Sequence, residues 1–331
     1  MQLLCLSFVV MRCQPLRRAL ALLGEQMKSG EKCPICSSFR ELPHHLYELS
    51  EFCRFLNNHN EYKRRGESRI VETKVISDWL KLAAELEVVE INSWRFGDDT
   101  AAMYCRPVAD EYESNSKHFT AYSTALTRFI FVSNALEEAY RFVDSHYLMF
   151  PSVVKLDERK KLRDASLRSA FLVDQLKETA LPLNFKHAIS NLRLTFEYYH
   201  SIFQTSLSGM KGVETTDNSY GLHLVRNLRN HVAHGIFPIL DNPEYWGSSE
   251  ISRTKLIALL FHACRVAALY IQALLHKYND GFQHDDYDHI ASMDWDDCYE
   301  QHFIKNCTVD LSLSLHSKCD FSFENPYGYK C

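Results

Sequence analysis

The chain has 331 residues, of which 46% are hydrophobic and 24% are charged, and its formal net charge is −5. This composition is ordinary for a soluble globular protein, and the length allows two domains or one large domain with additions. The negative net charge excludes a protein that binds nucleic acid through a wholly basic surface, but it is compatible with a local basic site.

Two features of the sequence indicate the cellular compartment: the number of cysteines and the length of the apolar runs. The eleven cysteines are scattered, and the apolar residues 2–11 lack a preceding positive region and a small-residue cleavage site. An odd number of cysteines without an export signal favours reduced thiols in the cytoplasm. No later run approaches the roughly 18 apolar residues that span a bilayer, so we expect no membrane segment.

A cysteine pair with a two-residue spacer lies in the first 65 residues, which we interpret as an N-terminal extension. Cys33 and Cys36 are followed by His44, His45 and Cys53. Four such nitrogen and sulfur ligands are typical of a tetrahedral structural zinc site, and we take Cys33, Cys36, His44 and Cys53 as the candidate set. The alternative is that these cysteines are small, buried apolar residues.

Residues 66–118 are predicted to form a smaller α+β domain. The pattern predicts a helix over 70–86 and two strands, at 88–92 and 103–106, with turn residues at 97–99 between them. Helices followed by a hairpin are the order of a winged helix, which binds nucleic acid or protein. A helical domain with one hairpin is the alternative.

From about residue 120 onward, apolar residues recur at spacings of three and four, which indicates amphipathic helices. Such helices with modest connections predict a helical bundle over 119–278, and thus a mainly α protein. Residues 279–331 lose this periodicity, are rich in acidic and aromatic residues, and are predicted to form a tail. The four strongest helical patterns run over 122–143, 185–203, 219–234 and 256–274.

The third of these helices ends in an unusually polar segment, residues 226–235, with the sequence Arg-Asn-Leu-Arg-Asn-His-Val-Ala-His-Gly. Gly235 is the predicted C-terminal cap. At 100° per residue, the polar side chains form one face opposite the apolar side, with two flanks. The face carries His223, Arg226, Asn230 and His234, and the flanks carry Arg229 and His231.

These residue types can cleave RNA without a metal. A histidine exchanges a proton near neutral pH, and a guanidinium stabilises the charge of a pentacoordinate phosphorane. RNA supplies its own nucleophile, the 2′-hydroxyl, so the expected products are a 2′,3′-cyclic phosphate and a 5′-hydroxyl. The alternative is that these side chains only solvate the helix end, where the dipole favours cations.

Residues 229–235 resemble the signature of HEPN domains, in particular Apea-like and defence-associated ones. In that signature four to six residues separate an arginine, often followed by asparagine, from a histidine. Residues 129–138 resemble the first long helix of such domains, where a polar or acidic residue faces the site. The resemblance covers about 119–278. It implies a helical bundle, commonly dimeric, in which the motifs of two protomers form one cleft.

The resemblance also implies roles and partners. Arg229 would stabilise the scissile phosphate, His234 would be the acid/base or positioning group, and Asn230 would orient one of them. Many members of the family are metal-independent ribonucleases of toxin–antitoxin or phage-defence systems. RNA, a second copy of the chain and an antitoxin or regulatory partner are therefore expected, with no catalytic cofactor. The remaining polar residues, Arg226, His231 and His223, would be auxiliary RNA contacts.

Two other functions fit the same sequence. One is a HEPN module that binds RNA, a nucleotide or a partner without catalysis, and the other is a winged-helix regulator whose helical half dimerises. Arg229 and His234 are five residues apart, so they point about 140° away from each other on a helix. A second protomer, or unwinding near Gly235, would reconcile this angle with a shared site.

Overall fold

The computed structural model describes residues 33–64, 66–245, 249–279 and 312–318. The chain divides into two compact units, residues 1–39 and 40–331. The described part of the first unit contains one short helix, α1 (Pro34–Ser38), which has a proline in its first turn.

The second unit is mainly helical with one small sheet, as the sequence predicts for the fold class. Its helical bundle character likewise agrees with the apolar periodicity. The elements follow one another in the order α2 (Leu42–Leu56), β1 (His59–Arg64), β2 (Glu67–Glu72), α3 (Thr73–Glu85), a 3-10 turn (Ser93–Phe96), α4 (Asp99–Tyr104), α5 (Arg106–Phe142), α6 (Asp144–Met149), α7 (Pro151–Val154), α8 (Ala165–Asp174), a 3-10 turn (Glu178–Ala180), α9 (Phe185–Phe203), α10 (Tyr220–Ala233) and α11 (Glu250–Tyr278).

Helix α11 is the centre of the bundle and packs against α5, α9 and α10. Its side chains are buried almost without interruption from Val266 to Leu275. The sequence predicts no membrane segment, yet by length and composition α11 could cross a membrane. Most of its apolar stretch, however, is buried inside the protein. Such burial is consistent with the core helix of a soluble protein.

Helix α5 is continuous over 37 residues, a length of roughly 55 Å. Pro107 lies in its first turn, where a missing backbone N–H costs nothing. The domain boundary proposed near 118/119 therefore falls inside a helix and not in a linker. Helix α3 packs against both α2 and α5, so the described helices before α5 in this unit rest on the bundle.

Among the described residues, the two strands lie elsewhere than predicted. Strands β1 and β2 pair antiparallel from His59 opposite Glu72 to Arg64 opposite Glu67. The segments 88–92 and 103–106, predicted as a hairpin, form no strands; residues 99–104 are helical. The hairpin predicted at 88–92 and 103–106 is therefore not found at those positions, and the hairpin of the described residues, β1–β2, follows α2 instead.

The segment after α3 lies along α5 and bonds to it through its backbone. The N–H groups of residues 89, 91 and 93 donate to the side-chain oxygens of Thr124, Thr120 and Ser116, at 2.9, 2.9 and 3.0 Å. Two residues of extended chain and four residues of helix both advance by roughly 6 Å, so the two spacings match. The segment predicted as a strand at 88–92 therefore bonds to a helix and not to a second strand.

Part of the predicted tail belongs to the bundle. Among residues 312–318, the Ser312 carbonyl accepts a hydrogen bond of 2.8 Å from Nε2 of Gln272 on α11. Nε2 of His316 donates to the Leu183 carbonyl at 2.6 Å. This segment therefore closes one side of the core, and the rest of 279–331 after Asn279 lies outside the described residues, as do residues 1–32.

Candidate functional site

Helix α10 ends in a Schellman motif, which confirms the predicted cap. Gly235 has a φ of +68°, a conformation that glycine adopts without strain. The Ile236 N–H donates to the His231 carbonyl at 2.8 Å, and the Gly235 N–H donates to the Val232 carbonyl at 3.2 Å. His234 is therefore the capping residue, and its side chain is exposed at the end of the helix.

Burial divides the polar residues of α10 into two groups. Asn227, His231 and His223 are only 1%, 3% and 7% exposed. Arg226, Arg229 and Asn230 are half-buried. The helical wheel placed His223 on the polar face, yet in the fold that position is covered by protein. The solvent-accessible part of the motif thus consists of the two arginines, Asn230 and His234.

His231 is a structural residue that holds the chain after α9. Its Nε2 donates to the Ser206 carbonyl at 2.8 Å, and its Nδ1 lies 3.1 Å from the Tyr199 hydroxyl. Both ring nitrogens are therefore in use inside the protein. The expected auxiliary contact between His231 and RNA is not available to a side chain held in this way.

Asn227 anchors the same segment from the next turn of α10. Its Oδ1 accepts from the Ser208 N–H at 2.8 Å, and its Nδ2 donates to the Ser208 carbonyl at 3.1 Å. At Gly209, where φ is +69°, an added Cβ would lie 2.8 Å from Nη1 of Arg226. In the sequence, Asn227 belongs to an earlier copy of the same pattern, from Arg226 to His231, which was set aside for the later copy that Ala233 and Gly235 complete.

Arg229 faces an acidic residue on the long helix α5. One of its Nη atoms lies 3.9 Å from the Glu137 carboxylate, and Arg141 approaches the same carboxylate at 3.9 Å. Glu137 belongs to the segment 129–138, in which an acidic residue was expected to face the site. The Arg229 side chain is still 42% exposed, so most of its five N–H donors remain available to a ligand.

Arg226 lies deeper than Arg229 and beside Tyr140. Among the described residues, Nη1 of Arg226 and the buried hydroxyl of Tyr140 have no hydrogen-bond partner. Burial raises the pKa of Tyr140 well above its ordinary value, and the nearby Glu137 carboxylate raises it further. Tyr140 therefore stays protonated and can only support the arginines as a neutral neighbour.

His223 is a poor proton donor in this environment. Burial lowers its pKa below the ordinary value, and the Arg226 guanidinium lowers it further, while Asp174 and Asp217 act in the opposite direction. The charged form of His223 is therefore disfavoured. Of the three candidate histidines His223, His231 and His234, only His234 is exposed.

The four candidate zinc ligands do not form one site. On α2, Cys53 is fully buried, whereas the His44 side chain is exposed and lies 3.9 Å from Glu41. The two are nine residues apart, which places them on opposite sides of the helix. This corrects the predicted set, because His44 and Cys53 cannot bind one ion together.

The Cys33–Cys36 pair keeps a feature of metal-binding cysteines. Both thiols are reduced and exposed. A hydrogen bond from the Cys36 backbone is the main cause that lowers the pKa of Cys33. The thiolate is the form that binds metal, so this pair is compatible with a structural zinc whose other ligands differ from those predicted.

Comparisons with protein-family models, with curated proteins and with solved structures found no match. The fold itself therefore defines the class: a mainly α protein with a two-stranded antiparallel sheet and a bundle centred on α11.

Proposed function

We propose that the protein is a metal-independent endoribonuclease of the HEPN type, whose site consists of Arg229, Asn230 and His234. The observation that carries the proposal is the pairing of Arg229 with Glu137 on a helix whose end presents an exposed His234. The carboxylate holds the guanidinium without burying it. An arginine held in this way is already oriented to bind a phosphate.

The reaction needs one proton removed and one proton supplied. The 2′-hydroxyl of the RNA attacks the adjacent phosphorus, and His234 removes its proton as the new P–O bond forms. Arg229 stabilises the extra negative charge of the phosphorane. The bond to the 5′-oxygen then breaks, and this oxygen takes up a proton from water while the protonated His234 releases its proton to the solvent, which yields a 2′,3′-cyclic phosphate and a 5′-hydroxyl.

Two copies of the chain would complete the site. Side chains five residues apart on a helix diverge by about 140°, and His234 only begins to leave the helix at its cap. We therefore assign Arg229 of one protomer and His234 of its partner to the same phosphate. The buried residues Asn227, His223 and His231 would position α10, while Arg226 would contribute positive charge next to Arg229.

The wider assignment follows from the same resemblance. A ribonuclease of this kind acts in the cytoplasm as a toxin or phage-defence effector, and an antitoxin or regulatory partner would restrain it. The N-terminal region would then be a sensing or targeting domain for the ribonuclease.

A second candidate function is a HEPN module that binds RNA, a nucleotide or a partner without cleaving. One observation favours it: among the described residues, no hydrogen-bond partner orients the His234 side chain. A general base is commonly oriented by a third group, and its absence within one protomer suits binding better than catalysis. A second protomer that supplies this group would favour cleavage again.

The test is incubation of the purified chain with a mixed RNA substrate in EDTA. Arg229→Ala and His234→Ala should each reduce the cleavage rate about 100-fold or more, with circular dichroism unchanged. Arg106→Ala and His44→Ala are controls, because both side chains are exposed and far along the chain from the motif. Wild-type protein that retards RNA in a gel but never cleaves it would establish the binding module. Cleavage that survives both site substitutions would refute the site.

A further inference from the structure

A positively charged loop, residues 155–163, joins α7 to α8, and we call it the basic loop. It contains five basic and two acidic residues, whereas the whole chain has a net charge of −5. Lys161 forms an ion pair with Glu158. In the part of the chain that the structure describes, the other four basic side chains are exposed and have no carboxylate partner: Lys155, Arg159, Lys160 and Arg163. The basic loop therefore presents positive charge that the described residues do not neutralise.

Exposed aliphatic side chains accompany these charges. Val154 at the end of α7 is 59% exposed, and Met149 at the end of α6 is 63% exposed. Leu156 and Leu162, inside the basic loop, are exposed as well. Exposed apolar side chains that are grouped together indicate an interaction surface. A partner for this surface has to combine negative charge with apolar groups.

Hydrogen bonds hold the end of the basic loop against α6. The Leu162 N–H donates to the Tyr147 hydroxyl at 3.0 Å. Nη1 of Arg168 donates to the Leu162 and Arg163 carbonyls at 3.1 and 3.2 Å. The same guanidinium also donates to the buried Asp144 carboxylate at the beginning of α6. These bonds bring the charged loop close to the exposed residues of α6.

A segment with complementary properties, residues 284–300, follows α11 in the sequence, and we call it the acidic segment. It has seven carboxylates and no lysine or arginine. Apolar residues are interspersed among these charges: Tyr287, Ile290, Met293, Trp295 and Tyr299. The acidic segment therefore combines the negative charge and the apolar groups that the surface requires.

The chain leaves α11 beside the helices that flank the basic loop. The ring of Tyr278, the last residue of α11, lies 5.2 Å from the His146 ring on α6, and its hydroxyl donates to the Leu172 carbonyl on α8 at 3.0 Å. Lys155 follows His146 by nine residues, which span roughly 30 Å at most. Residues 279–294 span up to about 50 Å when extended. The acidic segment is therefore long enough to reach the basic loop.

We propose that the acidic segment docks on the basic loop of the same chain. Its carboxylates pair with the four exposed basic side chains, and its apolar side chains cover the exposed aliphatic ones. Each exposed ion pair is weak by itself, but a segment joined to its docking surface by a short stretch of chain has an effective concentration of roughly millimolar. This favours the same chain as occupant over a second copy or an anionic membrane. The inference does not rest on ribonuclease activity.

Carbodiimide cross-linking of the full chain, followed by mass spectrometry, tests the docking. The reagent joins a lysine amine to a touching carboxylate through an amide bond, and the reagent takes up the water that is lost. Within monomers, Lys155 and Lys160 should be joined to the acidic segment at least about fivefold more often than Lys74, because only the basic loop groups several cations.

Lys74, at the beginning of α3, is a matched control. It is exposed and, among the described residues, has no carboxylate partner. It is also near the end of α11: the preceding Thr73 N–H donates to the Asn58 carbonyl at 2.9 Å, and Nδ2 of Asn58 donates to Oδ1 of Asn279 at 2.7 Å. The comparison therefore separates a preferred surface from mere proximity.

A charge exchange tests the same contact through variants. Arg159→Glu combined with Lys160→Glu should reduce cross-linking of Lys155 to the acidic segment about tenfold, because like charges then face each other. Adding Asp296→Lys and Asp297→Lys should produce cross-links between positions 159–160 and 296–297. Thermal unfolding shows whether each variant is folded, and the comparison with Lys74 in the wild type needs no variant.

Three results would overturn the proposal. Equal cross-linking of Lys74 and the basic loop would mean that the acidic segment has no preferred surface. Cross-linked dimers in place of monomers would make a second copy the occupant. The wild type should not sediment with phosphatidylserine vesicles; sedimentation that Arg159→Glu with Lys160→Glu abolishes would show that the basic loop is open to an anionic membrane.

Discussion

The Tyr199 hydroxyl on α9 lies 3.1 Å from Nδ1 of His231 on α10, and the two rings pack with their centroids 5.8 Å apart. Through this contact His231, at the centre of the polar motif, is part of the core. The other ring nitrogen of His231 holds the segment after α9. The motif therefore includes a residue, His231, that stabilises the structure around it.

Tyr199→Phe should destabilise the protein without affecting RNA binding. The substitution keeps the ring but leaves Nδ1 of His231 buried and unpaired, which costs about 1–3 kcal/mol of unfolding free energy. Urea denaturation measures the loss. Tyr198→Phe is the control, because the Tyr198 hydroxyl bonds to Ser252 in a less buried place and its loss should cost less. A comparable loss in the two variants would contradict the scaffold role of His231.

Mixing two inactive variants tests whether the proposed site is shared between protomers. When Arg229→Ala and His234→Ala chains are unfolded together and refolded, half of the dimers are heterodimers, and each has one intact composite site. Activity should therefore return to roughly a quarter of the wild-type value. If the arginine and histidine of one chain act together, mixing restores nothing.

Glu137→Gln tests whether the carboxylate positions Arg229. The neutral side chain holds the guanidinium less firmly and repels RNA less, so kcat should fall roughly tenfold while KM stays equal or decreases. Single-turnover kinetics separate the two effects. Glu113→Gln is the control, since it removes an exposed carboxylate near the other end of α5. A higher KM with unchanged kcat would argue against positioning.

Acid should destabilise the protein through His316. Burial lowers the pKa of His316 to about 4, and the Arg265 and Arg40 guanidiniums add to the effect, against a hydrogen bond with the Leu183 carbonyl. Between pH 6.5 and pH 4 the unfolded chain binds the proton and the folded chain does not. Stability is therefore complete above pH 6.5 and falls through this window by on the order of 3 kcal/mol.

Melting temperature against pH measures this effect. His316→Gln should lower stability at pH 7, because the buried hydrogen bonds change, but it should make the decline between pH 6.5 and pH 4 less steep. Part of the decline should remain, because burial also lowers the pKa of His262 to about 4. His44→Gln, at an exposed histidine, should leave the decline as it is. An unchanged slope in His316→Gln would show that other groups cause the acid sensitivity.

Thr124→Val should loosen the segment that follows α3. The valine keeps the shape of threonine but removes the oxygen that accepts from the Val89 N–H. Loss of one such hydrogen bond costs about 1 kcal/mol. Hydrogen exchange should show faster exchange at Val89 and Ile91, with α5 unchanged. Protection that persists at both residues would mean that the segment is held by other contacts.

The sequence by itself determined the local structure. The apolar spacing over 185–203 predicts a helix with the same bounds as α9, and Gly235 ends α10 as expected, because both features depend on residues close together in the chain. The strand predicted at 88–92 likewise indicated extended chain. These are short-range effects, and each can be evaluated without knowing the rest of the molecule.

Only the tertiary structure decided which partners these elements have. The segment expected to pair with a second strand bonds instead to hydroxyl groups on α5. A helical wheel orders the side chains of α10 by angle, but the segment after α9 covers His231 and Asn227 on one side of it. Burial and hydrogen bonding depend on residues distant in the chain. These contacts distinguish the solvent-accessible Arg229 and His234 from the buried residues that hold α10 in place.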